Sequence, residues 1–540
     1  MTNKEIARSF NRLGKIMELH NENPFKVRSY YNAYNTLRKV ELPLSEMDHA
    51  QLCEIKGVGK NIADKILEMV ETGSLATYKK YADDTPQGII EMLGVRGFGP
   101  KKIKVVWKDM DITTIGELLY ACNENRLIEL KGFGTKTQEQ LKDQLQYFLD
   151  SQGKYLYGHV EGNVSRLSEM IKAHFPDERT EIAGDVRRKM PVVEKIVILT
   201  TVEKEALNDK AGDLGIALED GNLMWDGLNV SIEHVEQDGF DEVWYASSAS
   251  AEFLERYPAE SGKSETEILS AHGLPWVMPA FREDPDYVSD RNKNGKKLLE
   301  YSDIQGVVHC HSTYSDGLHS MAEMAQHAQG LGYSYLVMTD HSKAAFYADG
   351  LKEDEVYAQM EEIDHLNGGN PDFKIYKGIE ADILADGSMD YGDDFLQNFE
   401  VVIASVHTGL KMDESKATAR IIKAIENPHT HILGHPTGRL LLSREGYPID
   451  YKKILDACAA HNMVVELNAN PLRLDLDWTW IPYALEKGIM ISLNPDSHSR
   501  EQMKYIKYGV DAAHKAGLSK DECLNCKSAE EFDKWVKTLK

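Results

Sequence analysis

Nine side chains able to hold metal ions are strung along residues 309–498: His309, His311, Asp316, His341, Glu380, His407, His435, Asp496 and His498. Imidazole mixed with carboxylate suits Mn, Fe or Zn, whereas a Mg site is richer in oxygen. Carboxylates that bridge two ions about 3.5–4 Å apart can activate a water and stabilise the leaving oxygen of a phosphodiester. Any one such histidine is more often an ordinary polar residue. What distinguishes the set is where its members fall. An apolar run precedes each cluster: Val307-Val308 before His309, Leu336-Val337-Met338 before His341, Ile375 to Ile379 before Glu380, Val401 to Val406 before His407, and Ile432-Leu433 before His435. Val464-Val465-Glu466-Leu467-Asn468 and Ile489 to Asp496 complete seven repeats. Parallel strands buried on both faces read this way, and in (β/α) barrels the chemistry sits where the strands end. The rhythm predicts a metal-binding barrel. Arg439 and Arg473, just beyond two strand ends, are placed to clamp a substrate phosphate bidentately.

The elements that must position these groups belong to a long chain. At 540 residues it exceeds one ordinary core, which predicts a multidomain protein. No run of about 18 apolar residues occurs and residues 1–40 are charged and polar, so a soluble, cytoplasmic protein without a membrane partner is expected. Six scattered cysteines fit a reducing compartment, and the lone pair Cys523 and Cys526 reads as incidental. The net charge of −25 argues against nucleic acid until its distribution is considered. Residues 1–150 carry 22 Lys+Arg against 21 Asp+Glu, and the remaining 390 carry 40 against 66. Bound cations would offset part of that C-terminal acidity.

Helical periodicity dominates residues 3–150 and is broken by three similar turns: Ile55-Lys56-Gly57-Val58-Gly59-Lys60, Val95 to Lys102 around Gly97 and Gly99, and Leu130 to Lys136 around Gly132 and Gly134. Two glycines let the chain reverse tightly, and the amides that open the next helix offer a phosphate site. Lys60, Lys101, Lys102 and Lys136 add charge there. These turns resemble helix-hairpin-helix motifs, which grip the DNA backbone without reading bases. From about Tyr155 the pattern turns mixed, with strands expected at 181–183, 195–201 and 229–235. Residues 282–297 have the composition of a linker. The boundaries read as helical regions over 1–80 and 81–150, an α/β unit over 151–285, a linker over 286–302 and the barrel over 303–540.

As they stand in His-x-His-(x4)-Asp, Thr-Asp-His-Ser, Gly-Ile-Glu-Ala-Asp, Ser-Val-His, Gly-His-Pro and Asp-Ser-His, the nine residues resemble the polymerase and histidinol phosphatase (PHP) family, with every ligand position filled. That resemblance implies a distorted (β/α)7 barrel with three divalent metals, Mn foremost and Zn or Fe as alternatives. One metal would take His309, His311, Glu380 and Asp496; a second would share Glu380 with His407 and His435; a third would use Asp316, His341 and His498. The start of the chain, including Asn21 to Tyr30, together with the glycine turns and Gly273-Leu274-Pro275-Trp276, is similar to bacterial family X DNA polymerases, which carry a PHP domain at the C-terminus. The resemblance implies a nucleotidyltransferase-like palm in the centre. Its motif is degenerate. Gly184, Arg187 and Arg188 remain, but Asp185 stands where the family has serine, Lys195 and Val197 where two aspartates belong, and Ser231 where the third does. Nucleotide addition needs a carboxylate cage for two Mg ions, so loss of polymerase activity is expected.

The expected function is therefore a metal-dependent 3′-to-5′ DNA exonuclease in repair, with AP endonuclease or 3′-phosphatase activity at damaged ends. It would act without sequence preference on gapped, nicked or 3′-recessed DNA. Two rivals are a PHP-type phosphatase on a small phosphate ester and a non-catalytic DNA-end scaffold with structural metals.

Overall fold

The computed structural model describes residues 3–40, 42–95, 97–128, 130, 133–150, 153–219 and 222–539. They form two compact units, residues 1–122 with 127–148, and residues 123–126 with 149–540. The palm and the barrel therefore share one unit.

The described residues of the first unit are helices and turns. Gly57 and Gly97 take positive φ (94° and 75°), while Gly59 and Gly99 are extended and cap the helices Lys60–Thr72 and Pro100–Asp109. In all three glycine turns the apolar residue donates its backbone N–H back three residues: Val58 to Ile55, Phe98 to Val95, and Phe133 to Leu130. Val58, Phe98 and Phe133 are buried, which pins each turn to the core. The alternation of left-handed and extended glycine turns the amides of the following helix outward. Gly132 lies outside the described residues, and Gly134 precedes the helix Thr135–Asp150.

In the second unit, a five-stranded mixed sheet runs in the order Thr180–Ala183, Ile196–Thr200, Leu228–His234, Asn222–Trp225, Ile216–Glu219. Three of its strands coincide with those expected from sequence, and Asn222–Trp225 and Ile216–Glu219 are additional. The helix Tyr157–His174 buries Val160, Val164, Leu167 and Ile171, one helical face, against this sheet's core. Beside the sheet, Glu265 accepts two bonds from each of Arg187 and Arg282, at 2.7–3.2 Å, and Arg282 is fully buried. Residues 286–302 do not form a free linker. The helix Pro285–Lys293 lies within that stretch, and its Arg291 forks onto Glu522 at 2.8 and 2.6 Å, tying it to the barrel side.

The barrel strands are β1 Gly306–Cys310, β2 Tyr335–Met338, β3 Lys374–Asp382, β4 Val401–Ser405, β5 Ile432–Leu433, β6 Val464–Asn468 and β7 Ile491–Asn494. All neighbours in this order are parallel. At the seam, Cys310 bridges to Ser497, and the Asn525 side chain bonds to Leu493 of β7 and to Gly306 of β1. Strand alternation then sorts the interior into layers. Val308, Tyr335, Val337, Tyr376, Val401, Ile403, Ile432 and Val464 pack with Phe532 and Val536 of the helix Ala529–Thr538, which plugs the amino-terminal end. Continuing each strand by twos replaces apolar groups with polar ones: Tyr376 leads to Glu380 and Asp382, Ile403 to Ser405 and His407, and Val464 to Glu466 and Asn468.

The Arg187–Glu265–Arg282 triad supplies a stability test. Burial opposes ionisation of Glu265, but the two guanidiniums outweigh it and hold the carboxyl at about 2, against an ordinary 4.5. Its contribution is complete above about pH 4.5 and is lost as pH falls towards 2. Glu265→Gln leaves two buried cations uncompensated and is expected to cost about 3–5 kcal/mol at neutral pH, with a smaller gap between variant and wild type below pH 4. Denaturant unfolding at pH 7 and pH 3.5 measures both.

Candidate metal centre

Each of the nine residues is delivered by the carboxyl end of a barrel strand or the loop after it, and they lie in one cluster, seven of them buried and Asp316 and His407 partly so. A register shift between Val307 and Cys310 on β1 marks a bulge there, and His309 within it has φ 67°. His435 (φ 22°) and Asp496 (φ 53°) share this uncommon backbone region, so three of the nine are aimed by conformations that favour glycine. β3 is the pivot. Its residues Lys374–Lys377 pair with β2 and Gly378–Asp382 with β4, and a Cβ on Gly378 would meet the Met338 carbonyl at 2.6 Å.

Glu380, at the end of that pivot, is the hub. Its Oε1 is faced by Nε2 of His435 (3.0 Å), His407 (3.2 Å) and His309 (3.3 Å). Its Oε2 is faced by His341 Nδ1 (2.9 Å) and His311 Nε2 (3.7 Å). Asp496 Oδ1 lies 3.1 Å from His311 Nε2 and 3.4 Å from His309 Nε2. Asp316 Oδ1 lies 3.2 Å from His498 Nε2 and 3.6 Å from His341 Nε2. Among the nine, the groups tight enough to share an ion are His311 with Asp316, His341 and His498; His309 with His311 and Asp496; and His341 with Glu380 and His407. This differs in detail from the expected partition, since His311 and His341 each face two groups and His435 meets only the Glu380 side.

The far nitrogens show which donors point inward. His309 Nδ1 bonds to Glu466 (2.7 Å), His407 Nδ1 to Asp382 (2.5 Å), and His498 Nδ1 to the Asp496 carbonyl (3.1 Å). Such outer bonds fix the tautomer and leave Nε2 as a donor for metal. Glu466 also accepts from Asn494 (2.7 Å), Asn468 (2.9 Å) and the His435 backbone (3.0 Å). Asp382 and Glu466 were not singled out from sequence. The signal existed, since each falls on the inward parity of its strand.

Buried polar atoms without a hydrogen-bond partner among the described residues gather here, including His309 Nε2, both Asp316 oxygens, Glu380 Oε2, His435 Nδ1 and His498 Nε2. Leaving such atoms unpaired is costly. A mixed set of imidazoles and carboxylates answers to divalent ions. Electrostatics agree. Burial would neutralise Glu380 and Asp496, yet the surrounding histidines hold both carboxyls well below the usual range. Burial would lower His407, but Glu380 and Asp382 raise it to about 10.

The arginines divide. Arg439 is committed to structure: its Nε donates to the Arg473 carbonyl (2.9 Å), Nη1 to Asp477 and Nη2 to the Leu474 carbonyl. The expectation that it clamps a phosphate is corrected, because the fork is spent on the neighbouring loop after β6. Arg473 is buried beside the cluster, with Nε 3.9 Å from Asp496 Oδ2. In the first unit Lys60, Lys101 and Lys136 are exposed at their turns, and the Lys102 ammonium lies 5.4 Å from the Phe133 ring.

The palm positions are filled by other chemistry. Lys195 Nζ is 2.7 Å from Glu233, and the Ser231 hydroxyl donates to the same oxygen at 3.0 Å. Val197, paired with Ser231 across the sheet, packs with Ala183, Leu199 and Phe240. Asp185 accepts the backbone N–H groups of Glu194 and Lys195 at 2.9 and 3.3 Å.

Family comparison accords with this layout. A helix-hairpin-helix domain matches residues 1–75, a SAM-like helix-hairpin-helix tandem 89–146 and a PHP domain 308–470. The chain is 30% identical over 578 aligned positions, 99% of its length and all of the relative's, to the DNA polymerase/3′-5′ exonuclease PolX of Bacillus subtilis (strain 168). The chain belongs to the PolX family, the bacterial family X DNA polymerases with a C-terminal PHP domain. Within this PolX chain, 40% is also 27% identical to a probable phosphatase of Syntrophotalea carbinolica, covering 90% of that protein. A probable phosphatase of Thermoanaerobacter sp. (strain X514) is 26% identical over 40% of the chain and 88% of its own. A histidinol phosphate phosphatase structure from Lactococcus lactis covers 39% of the chain at 16% identity with a TM-score of 0.29, a likeness too slight for argument.

Glu466→Gln keeps the shape of the side chain but removes the charge behind His309. It is expected to weaken retention of divalent metal by about 10–100-fold, read by metal analysis after competition with a chelator.

Proposed function

We propose that this PolX protein is a metal-dependent phosphodiesterase that trims DNA from 3′ ends during repair, on gapped, nicked or 3′-recessed DNA, with its barrel as the sole catalytic centre. The observation that carries the reading is the convergence of five imidazoles on Glu380, a bridging carboxylate between donor groups on both of its oxygens. His309, His311, Asp316, His341, Glu380, His407, His435, Asp496 and His498 would hold the ions, with Mn favoured by the mixed donors and Zn or Fe as alternatives. Bound divalent metals would supply Lewis acidity for the attacking water and the leaving 3′ oxygen. Glu466 and Asp382 would keep His309 and His407 in the tautomer that presents Nε2. Arg473 would offset charge on the phosphate. The glycine turns at 57–60, 97–102 and 134–136 would hold the DNA backbone through helix-opening amides and lysines, without sequence preference.

Loss of nucleotide addition is supported by the palm. Two Mg ions demand paired carboxylates, and a Lys195–Glu233 pair over a Val197 apolar patch offers a cation and methyl groups in their place. The purified chain is expected to give no primer extension with Mg or Mn, measured on a gapped template; extension abolished by palm substitutions and spared by barrel substitutions would overturn this.

A small-ester phosphatase is the second reading, favoured by the probable phosphatases that match the barrel. Digestion of a 3′-recessed duplex compared with turnover of a histidinol-phosphate-like ester separates the two. For the nuclease, His341→Ala and Glu380→Ala should each abolish digestion while leaving DNA affinity nearly intact by anisotropy. Undiminished digestion by both variants would sink the proposal.

A further inference from the structure

The segment 123–126 belongs to the same compact unit as the barrel, and it carries a carboxylate into the metal centre. Glu124 is buried, with Oε2 2.9 Å from His498 Nε2, and it forms with Asp496 and His498 a group tight enough to share one ion. Two neighbours fasten the segment to the same donors. Gln502 donates to the Asn123 carbonyl at 3.1 Å while accepting the His498 backbone N–H at 2.6 Å. Arg126 places its Nε 3.9 Å from Asp316 Oδ2, with its guanidinium 4.7 Å above the Tyr347 ring. Glu124 and Arg126 thus flank the Asp316–His498 pair, the carboxylate towards the histidine and the guanidinium towards the aspartate.

We infer that Glu124 is a tenth donor of this centre, a displaceable carboxylate that caps it beside Asp496 and His498 and must yield its place to a substrate phosphate. The inference rests on the metal-centre reading above. Its logic is one of coordination. Glu124, Asp496 and His498 form a three-donor group of their own, joined through His498 to the four-donor group of His311, Asp316, His341 and His498, and catalytic sites keep a position open to substrate whereas saturated sites are structural. Glu124 Oε2 is an anionic oxygen 2.9 Å from His498 Nε2, and it would offer a bound ion the donor type that a phosphate oxygen offers. With Glu124 in place the centre would hold metal tightly and turn over slowly, and an entering phosphate would exchange one anionic oxygen for another without a change in donor type. The segment sits more than 180 residues before the nearest of the nine in sequence, so the cap and the ions it closes are supplied by separate parts of the chain.

The test uses the full-length chain, with Glu124→Gln as the isosteric variant and Glu124→Ala as the deletion, both checked for an unchanged circular dichroism spectrum. Mn2+ alone is titrated calorimetrically, and bis(4-nitrophenyl) phosphate, too small to need the DNA-holding turns, reports the chemistry at saturating Mn2+. One class of Mn2+ sites is expected to weaken by about tenfold or more in both variants, while diester hydrolysis at saturating metal rises several-fold. Unchanged Mn2+ affinity in both variants overturns Glu124 as a donor. Weakened affinity with hydrolysis that falls at saturating metal overturns the cap. A wild-type chain that binds no Mn2+ or Zn2+ overturns the metal-centre reading itself, and the assignment with it.

Discussion

The carboxylate of Glu380, buried and faced by five imidazoles, sets the terms for the rest of the molecule. A charge removed from water is tolerable only when matched by opposite charge and hydrogen bonds at close range. Here the matching groups come from β1, β2, β4 and β5 and the loops that follow them, so the charge is satisfied only if the barrel closes with the right stagger. That requirement explains the bulge on β1, the split pairing of β3 and the Asn525 side chain that bonds across the seam. Adjacent carboxylates raise His309, His407 and His498 against the lowering effect of burial, which shows how strongly the negative charge here calls for a cation. Divalent ions would fill that role, and the outer carboxylates Glu466 and Asp382 would then hold neutral imidazoles in place.

The clustering of the nine residues was legible in the sequence because a buried parallel strand is an unbroken apolar run, and a polar residue ending such a run is conspicuous. Asp382 and Glu466 were harder to weigh because period-two placement gives a side chain its face and not its partner. Glu466 sits inside a run that looks like core, and only the closed barrel shows four donors converging on it. Arg439 erred in the opposite direction. Its position past a strand end looked functional, but its partner Asp477 lies in the loop after another strand, a contact no local pattern announces. Glu124 is the extreme case, a surface-like residue in a helical sequence whose chemistry exists only through tertiary proximity.

Composition also misled at residues 286–302. Charged, polar segments are usually solvated, yet Arg291 finds Glu522 and the Gly517 carbonyl, and Leu299 is buried. The same feature recurs across the boundary between palm and barrel. Lys515, wholly buried, bonds to Glu283, which also takes Arg188, and Lys189 pairs with Asp511. Burial lowers Lys515 to about 8 despite Glu283, so its charge is held at a cost that only a fixed partner offsets.

These contacts account for a palm that keeps its architecture without its carboxylates. A cage for two Mg ions stores repulsion between aspartates until metal arrives; replacing it with the Lys195–Glu233 pair and Val197 removes that repulsion and adds apolar packing. Arg187 and Arg188, the remnants of the nucleotide-binding pattern, now anchor Glu265 and Glu283, and Glu283 connects the sheet to Lys515 of the barrel side. The palm is thus tied into the same charge network as the wall of the barrel. A fold stabilised by such pairs does not depend on a metal cage in the palm, and these contacts let the palm serve as a support for the barrel.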